Sequence, residues 1–320
     1  MNKVLITGAC GYIGARLSKY LAENGYSITA FDSFNPSNYT SWTTLMEDVI
    51  IGDIRDETTI SDLTKKQFDI AIHLISLDHH KSESEPNIVS SINVMPTWNL
   101  LDKLTKNGLK KFIYFSTIHV YGNIPNQIIT EDQITKPINA YGLTHLLSEN
   151  ICNYYNEKTE TKCINARLSN SYGSPVFEDN NCWWLVINDL CKTAFTKNKI
   201  KLLSDGSSQR DFIHISDICR AVYTLLNAKD DFKNNIFHIA SGESLTILEL
   251  AHIIKDIYRN KFNEKSTVFF PDGSLSELPS TFINKNQYHF DISKIQSLGF
   301  KTSMDLSNGI NELFDYLIRS

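Results

Sequence analysis

Short apolar runs alternate with longer stretches of helical spacing through the first half of the chain. Residues 4–7 (Val-Leu-Ile-Thr) are an apolar run of strand length, and residues 12–24 carry a helical pattern that stops at Gly25. Further strands are expected at 27–31, 49–51, 70–74 and 111–116, the last two separated by a helical stretch over 88–105. Apolar strands divided by helices are the mark of βαβ units, because a parallel sheet covered on both faces has no polar side to show. The expected fold class is α/β, a doubly wound parallel sheet.

Residues 139–158 read as one long helix in which Leu147, Ile151, Tyr154 and Tyr155 fall along one side. That stripe fits either packing on the chain's own sheet or a face offered to a second copy. A strand at 163–168 follows. Beyond Tyr172 the pattern loosens, with helix and strand segments recurring at 218–226, 236–239 and 246–258. One domain is expected over 1–170, with segments near 210–240 returning to it, and a smaller interleaved C-terminal substrate domain over 171–320.

Charge and cysteines narrow the picture. A formal net charge of −5 gives no reason to expect nucleic acid or an anionic membrane as partner, so an anionic ligand must be held by local donors. Cys10, Cys152, Cys163, Cys182, Cys191 and Cys219 form no CxxC pair and no zinc-like spacing. The opening Met-Asn-Lys-Val-Leu-Ile-Thr-Gly is too short an apolar run for a signal peptide, and no stretch nears the ~18 apolar residues of a membrane span. A cytoplasmic protein with no membrane partner and no metal is expected.

The strand at 4–7 runs into Gly8-Ala9-Cys10-Gly11-Tyr12-Ile13-Gly14 and then into a helix. Glycines at GxxGxxG spacing allow a tight turn, a close approach to a pyrophosphate and close packing of helix on strand, while the leading N–H groups of the helix meet the phosphates. Asp32 ends the second strand, with Ser33 after it. A carboxylate there accepts from both adenosine ribose hydroxyls and repels a 2′-phosphate, which favours NAD over NADP. Gly52-Asp53-Ile54 follows the third strand; Asp53 is placed to meet the adenine amino group, or else is a simple turn residue. Together these residues make a Rossmann-type dinucleotide site.

Phe115-Ser116-Thr117-Ile118-His119-Val120-Tyr121-Gly122, followed by Tyr141-Gly142-Leu143-Thr144, resembles the extended short-chain dehydrogenase/reductases of the NAD-dependent epimerase/dehydratase family, and the similarity runs through most of the chain. The resemblance implies that Tyr141 is the acid/base and that Thr117 bonds the same substrate oxygen. It also implies that Leu74, Ile75 and Ser76 lie over the cofactor with Tyr141 and His145, and that Asn93, where the family's helix carries a structural asparagine, belongs with these cofactor residues. Asn170, in Arg167-Leu168-Ser169-Asn170-Ser171-Tyr172-Gly173, would open a sugar-nucleotide pocket, and Arg210, in Gln209-Arg210-Asp211-Phe212, would grip the diphosphate. A homodimer through the 88–105 and 139–158 helices is implied as well. Oxidising a sugar alcohol requires removal of the hydroxyl proton as hydride leaves, and a tyrosine serves as that base or, in reverse, as the acid for a ketone.

One position departs from this pattern. The family's tyrosine is followed four residues later by lysine, and here that residue is His145. A positive charge ~6 Å away, at an effective dielectric of ~20, favours a phenolate by roughly 2.8 kcal/mol, about two pK units. Histidine, with an ordinary pKa of ~6.5, supplies little of this at pH 7, though it can still donate to a ribose hydroxyl. Three readings follow: a slower enzyme, a shifted pH profile, or a protein that binds NAD and nucleotide sugar without turnover. Retention of Thr117, Tyr141 and Arg210 favours a working but altered enzyme.

Ile118-His119 stand where dehydratase members carry Asp-Glu, which argues against a 4,6-dehydratase. A dehydrogenase or ketoreductase remains, as does a 4-epimerase that recycles its own NAD. Either would act at C4 of a nucleotide-diphosphate sugar, in the surface polysaccharide precursor synthesis that the resemblance suggests. His119 is equally a substrate contact or a satisfied core histidine. His79-His80 reads as a loop rather than a metal site, and Trp183-Trp184 as core rather than a platform for a base. A second diphosphate-binding arginine is missing over 279–291, which leaves Lys285 or backbone donors in its place.

Overall fold

The apolar runs form β1 (Lys3–Thr7), β2 (Ser27–Asp32), β3 (Asp48–Ile51), β4 (Ile70–His73), β5 (Lys111–Thr117), β6 (Lys162–Leu168) and β7 (Ile236–Ile239). The computed structural model describes residues 2–124, 127–229, 235–276 and 288–320; Lys285 lies outside them. Among the described residues these strands build one parallel sheet in the order β7-β6-β5-β4-β1-β2-β3. The order reverses beside β1, so the carboxyl ends of β1 and β4 flank the switch point at which open α/β sheets take ligands. Register sets Thr7 beside His73 and Thr117 beside Leu168 at those ends.

Two compact units are present. The first comprises Met1–Ile124, Glu131–Leu168 and Val222–Ile239; the second comprises Pro125–Thr130, Ser169–Ala221 and Ala240–Ser320. Leu5, Phe31, Ala71 and Phe112 of the sheet pack with Leu100, Leu101 and Leu104 in the core of the first. In the second, the helices Val186–Lys197, Ile247–Phe262 and Leu306–Arg319 bury Cys191, Ala194, Ile254, Leu313 and Phe314 against one another. Its strand Gln209–His214 pairs parallel with Asn170–Tyr172 and antiparallel with Ser244–Thr246. No helix of the described residues is long and apolar enough to cross a membrane.

The helices that position the site are α1 (Tyr12–Glu23), α2 (Pro86–Asn93), α3 (Met95–Lys106) and α4 (Ala140–Lys158). The single helix expected over 88–105 is two, broken at Val94. Pro96 explains the break: it has no N–H to bond the carbonyl of residue 92 and its ring crowds that turn, whereas a helix start tolerates it. Helix α4 begins at Asn139, whose side chain accepts the Gly142 N–H at 2.8 Å and so satisfies one of the unpaired donors of the first turn. Its inner face is polar, with Thr144, His145, Ser148 and Glu149 buried, whereas Leu143, Leu147 and Tyr154 are exposed. The stripe read from the sequence therefore points outward at Leu147 and Tyr154, while Tyr155 is buried and Ile151 is half-buried against the core.

Candidate active site

Gly8 leaves β1 at φ 77°, in the left-handed region open to glycine. A Cβ on Gly14 would lie 1.9 Å from the Gly8 carbonyl oxygen, so α1 sits on the turn at a separation that glycine alone permits. Gly11 is the N-cap of α1 and no side chain caps that end, which suits it to an anion drawn by the helix dipole. Tyr12 and Ile13, in the first turn, are half-buried. The Asp32 carboxylate is fixed at the end of β2, accepting Cys10 N–H at 2.9 Å and Phe34 N–H at 3.0 Å, with Ser33 exposed beside it. A cradle that any Cβ would fill, an uncapped helix start and an anchored carboxylate fit a dinucleotide. Burial, with the nearby Asp32 charge, pushes the Cys10 thiol up to about 12, so it stays protonated and inert.

Asp53 follows Gly52 beyond β3, and Ile54 is buried. The Asp53 carboxylate is gripped by Arg55, through Nε at 2.9 Å and Nη2 at 2.5 Å, and these bonds hold its carboxyl below the usual range. Leu74-Ile75-Ser76 leads away from β4 against the glycine turn: a Cβ on Gly8 would stand 3.2 Å from the Ile75 nitrogen and 3.3 Å from the Leu74 carbonyl carbon.

Tyr141 occupies the first turn of α4, where its phenol feels the hydroxyls of Thr117, at the end of β5, and of Ser76. Burial pushes the phenol up to about 12; the Thr117 and Ser76 hydroxyls pull it down and the charge of Asp78 pushes it further up. Among the described residues no cation acts on it. Thr117 also accepts the His119 N–H at 3.2 Å, which starts the short helical turn Ile118–Tyr121. The exposed His119 ring stands edge-on to the Tyr141 ring, 5.6 Å between centroids.

His145 lies one turn further along α4 and is 3% exposed, its ring 4.5 Å from that of Tyr141. Tyr114 Oη meets its Nδ1 at 2.8 Å and Ser76 Oγ meets its Nε2 at 3.3 Å. Burial drives its pKa down to about 3, with His119 and His73 adding to the effect and the Phe115 carbonyl opposing it. His145 is therefore neutral throughout the physiological range.

Asn93, grouped from the sequence with the cofactor residues, is fully buried and one layer back. Its Oδ1 accepts Leu77 N–H at 2.8 Å, and its Nδ2 donates to Thr144 Oγ1 at 3.0 Å and Ser82 Oγ at 3.2 Å. It ties the loop after β4 to α4. A second buried cluster sits beside His145: Glu149 accepts Arg167 Nε at 2.9 Å and Nη2 at 2.7 Å, and Ser116 Oγ at 2.5 Å. Tyr114, Glu149 and Arg167 as a paired carboxylate and guanidinium, and the bridging role of Ser76 are not singled out by the sequence. The available signal is parity, since Tyr114 and Ser116 are two apart on β5 and share one face.

In the second unit Arg210 is exposed, donating through Nη1 to Ser208 Oγ at 2.6 Å and to the Gln209 carbonyl at 2.7 Å. Asn170 Nδ2 donates to the Asp211 carbonyl at 2.8 Å. Trp183 packs against the second core and Trp184 is exposed. The His79 and His80 rings lie 3.9 Å apart, and among the described residues no group of three His, Cys, Asp or Glu is arranged to hold a metal ion.

Residues 4–240 match the model of the NAD dependent epimerase/dehydratase family. UDP-glucose 4-epimerase of Corynebacterium glutamicum is 27% identical over 267 residues, 80% of either chain. dTDP-D-glucose 4,6-dehydratase of Dictyostelium discoideum is 24% identical over 362 residues, covering 98% of this chain and 81% of that one. The crystal structure of UDP-glucuronic acid 4-epimerase from Bacillus cereus, in complex with UDP-glucuronic acid and NAD, is similar over 99% of both chains, with a TM-score of 0.79 and 25% identity.

Proposed function

Because the chain belongs to the NAD-dependent epimerase/dehydratase family, we propose that it oxidises and reduces C4 of a nucleotide-diphosphate sugar, as a 4-epimerase or as a dehydrogenase/ketoreductase. The observation that carries this reading is Tyr141 beside the hydroxyls of Thr117 and Ser76, in the same unit as the glycine turn and Asp32. NAD, when bound, supplies the hydride acceptor and, in its oxidised form, a positive charge. Residues Gly8, Gly11, Gly14 and Asp32 hold it, and Ser76 and His145 line its tyrosine end. Tyr141 takes the proton of the sugar hydroxyl and returns it to the ketone, while Thr117 orients that oxygen.

Asn170 and Arg210 are assigned to the sugar nucleotide, Arg210 to its diphosphate, and the 171–320 part of the chain to nucleotide-sugar binding. The named 4-epimerases among the relatives support chemistry at C4. Elimination of water is disfavoured because Ile118 is buried and apolar where a carboxylic acid is needed. A role in surface polysaccharide precursor synthesis and a homodimer through α2, α3 and α4 complete the proposal.

A phenol of pKa about 12 is ionised to roughly one part in 10⁵ at pH 7. The rate of sugar oxidation should therefore be low at neutrality and climb with pH, and a silent NAD-binding protein is the competing reading. The test is incubation of the protein with NAD and a panel of nucleotide-diphosphate hexoses from about pH 6 to about pH 10. Reduced-nicotinamide absorbance and product identity are followed together. Reduced NAD or a 4-epimer, increasing with pH and abolished in Tyr141→Phe, is the expected result. Bound NAD with neither product from any sugar would overturn the proposal.

A further inference from the structure

We infer that Tyr114, His145 and Ser76 form a chain of neutral hydrogen-bond donors ending on the Tyr141 hydroxyl, in which Tyr114 is a positioning residue that fixes the tautomer of His145. The inference rests on Tyr141 being the acid/base, and on proton counting through three adjacent groups.

Ser76 has one hydroxyl proton, and in this arrangement it lies toward the Leu77 carbonyl, an acceptor-only group 3.0 Å from Oγ. With that proton committed, Ser76 Oγ can meet His145 Nε2, 3.3 Å away, only as an acceptor, so Nε2 carries the hydrogen. A neutral imidazole has a single N–H, which makes Nδ1 the acceptor and the Tyr114 hydroxyl, at 2.8 Å, the donor. Tyr114 can hold that role at any working pH, because burial raises its pKa well above the usual phenol value. The other hydroxyl beside it, Ser148, donates its one proton to the Asn93 carbonyl at 2.9 Å and receives Thr97 Oγ1 at 3.4 Å, so it has none to give Tyr114.

The order of donors gives the chain its direction. When Tyr141 is deprotonated, the Ser76 hydroxyl turns from the Leu77 carbonyl to the phenolate. Nε2–H still donates to Ser76 and Tyr114 to Nδ1, so three dipoles point at the developing charge, each polarising the next. No proton leaves along the chain, since that would strand a phenolate on buried Tyr114. Aligned dipoles thus stand where the related enzymes place a cation, and they give less than a full charge would.

The remaining groups facing the chain are Cys152 and Glu149 around Tyr114, His119, His73 and the Phe115 carbonyl around His145, and Thr117 and Asp78 around Tyr141. None of them supplies a second donor to Nδ1. Removal of the Tyr114 hydroxyl should therefore release the tautomer toward Nδ1–H, with the Phe115 carbonyl as the acceptor at hand.

The experiment uses the full chain loaded with NAD and labelled with nitrogen-15 histidine. The His145 signals are identified by their loss in His145→Gln. Nitrogen–proton correlation from about pH 6 to about pH 9 should show a protonated Nε2 and a bare Nδ1 throughout. In Tyr114→Phe the Nδ1–H form should gain population, and the Tyr141 titration followed by phenolate absorbance should move up by about half a unit to one unit. That corresponds to roughly a threefold to tenfold loss of phenolate. Ser76→Ala should raise the same titration while leaving the tautomer in place. A wild-type Nδ1–H tautomer, or a Tyr114→Phe protein with both readouts unchanged, overturns the inference. Because neither readout needs a sugar, failure of the proposed catalysis would show up separately, as the absence of product.

Discussion

His145 and Glu149 sit one helical turn apart on the inner face of α4, and the fold buries the first without charge and the second with it. Their partners on β5 keep step: Tyr114 meets His145 and Ser116 meets Glu149. Two residues of strand and four of helix both advance about 6 to 7 Å, which is why the pairs line up. The difference lies in what completes each site. Glu149 receives both arms of the Arg167 guanidinium, and Arg167 has further acceptors in the Tyr121 hydroxyl at 2.8 Å and the Glu131 carbonyl at 3.1 Å. His145 is offered hydroxyls and no carboxylate, so burial selects its neutral form. A charge survives desolvation where its partners are complete, and is given up where they are not.

The sharpest way to break this comparison is to open the charged site. Arg167→Met leaves the Glu149 carboxylate buried without its partner and should destabilise the protein by about 3–5 kcal/mol. Adding Glu149→Leu should recover most of that loss, since removing both charges together ends the desolvation penalty. Urea unfolding of wild type, single and double variants measures both effects. A single variant that loses under about 1 kcal/mol would mean that water reaches Glu149 and that the two sites are not alternatives of one kind.

How much of this was legible along the chain follows from where the partners lie. The glycine turn and Asp32 could be read because tight turns and helix starts are set by neighbours in sequence. Helix α4 was legible as a helix, but its inner face was not. The partners of His145 and Glu149 stand 31 and 18 residues away, at Tyr114 and Arg167. The stripe through Leu147, Ile151 and Tyr154 fits either a buried side or a face for a second copy, and spacing alone does not show that Thr144, His145, Ser148 and Glu149 make up the inner face. Arg167 falls within the segment that resembles a pocket wall, and the sign of its buried carboxylate partner is an arginine within the mostly buried strand Lys162–Leu168. The break at Pro96 is readable locally, but the apolar spacing runs straight through it.

Acid sharpens the comparison from the neutral side. His145 and His73 both have folded pKa values lowered to about 3, His73 by burial, with its Nδ1 2.6 Å from Thr7 Oγ1. Above the unfolded value of ~6.5 neither histidine takes a proton in either state, and stability is at its full value. As pH falls from there toward about 3 the unfolded chain takes up protons that the native sites refuse. Each such histidine then removes ~1.4 kcal/mol per pH unit. His145→Gln keeps a neutral polar group on α4 and should flatten the acid slope of unfolding free energy by about that amount, relative to wild type at the same pH. An unchanged slope would mean that His145 accepts its proton inside the fold, and the neutral site would have to be redrawn as a masked charged one.

The smallest effect on stability is expected on the opposite face of the same helix, where the comparison turns inside out. A helix at the surface of a globular unit ordinarily puts its apolar residues inward, whereas α4 buries His145, Ser148 and Glu149 and leaves Leu147 46% exposed. Trp98, on the packed neighbour α3, is 50% exposed. Large apolar side chains exposed on two packed helices suit an interaction surface, and a second copy is the occupant proposed above. Leu147→Ser combined with Trp98→Ser should therefore shift the chain from dimer to monomer in sedimentation velocity. The unfolding free energy of the isolated subunit should change by only about 0.5 kcal/mol, since neither side chain supports its own core. If the wild type already sediments as a monomer, the dimer is excluded. A dimer untouched by both changes would place its interface elsewhere, and the polar interior of α4 would then have to be explained by the site it builds, with no help from the face it presents.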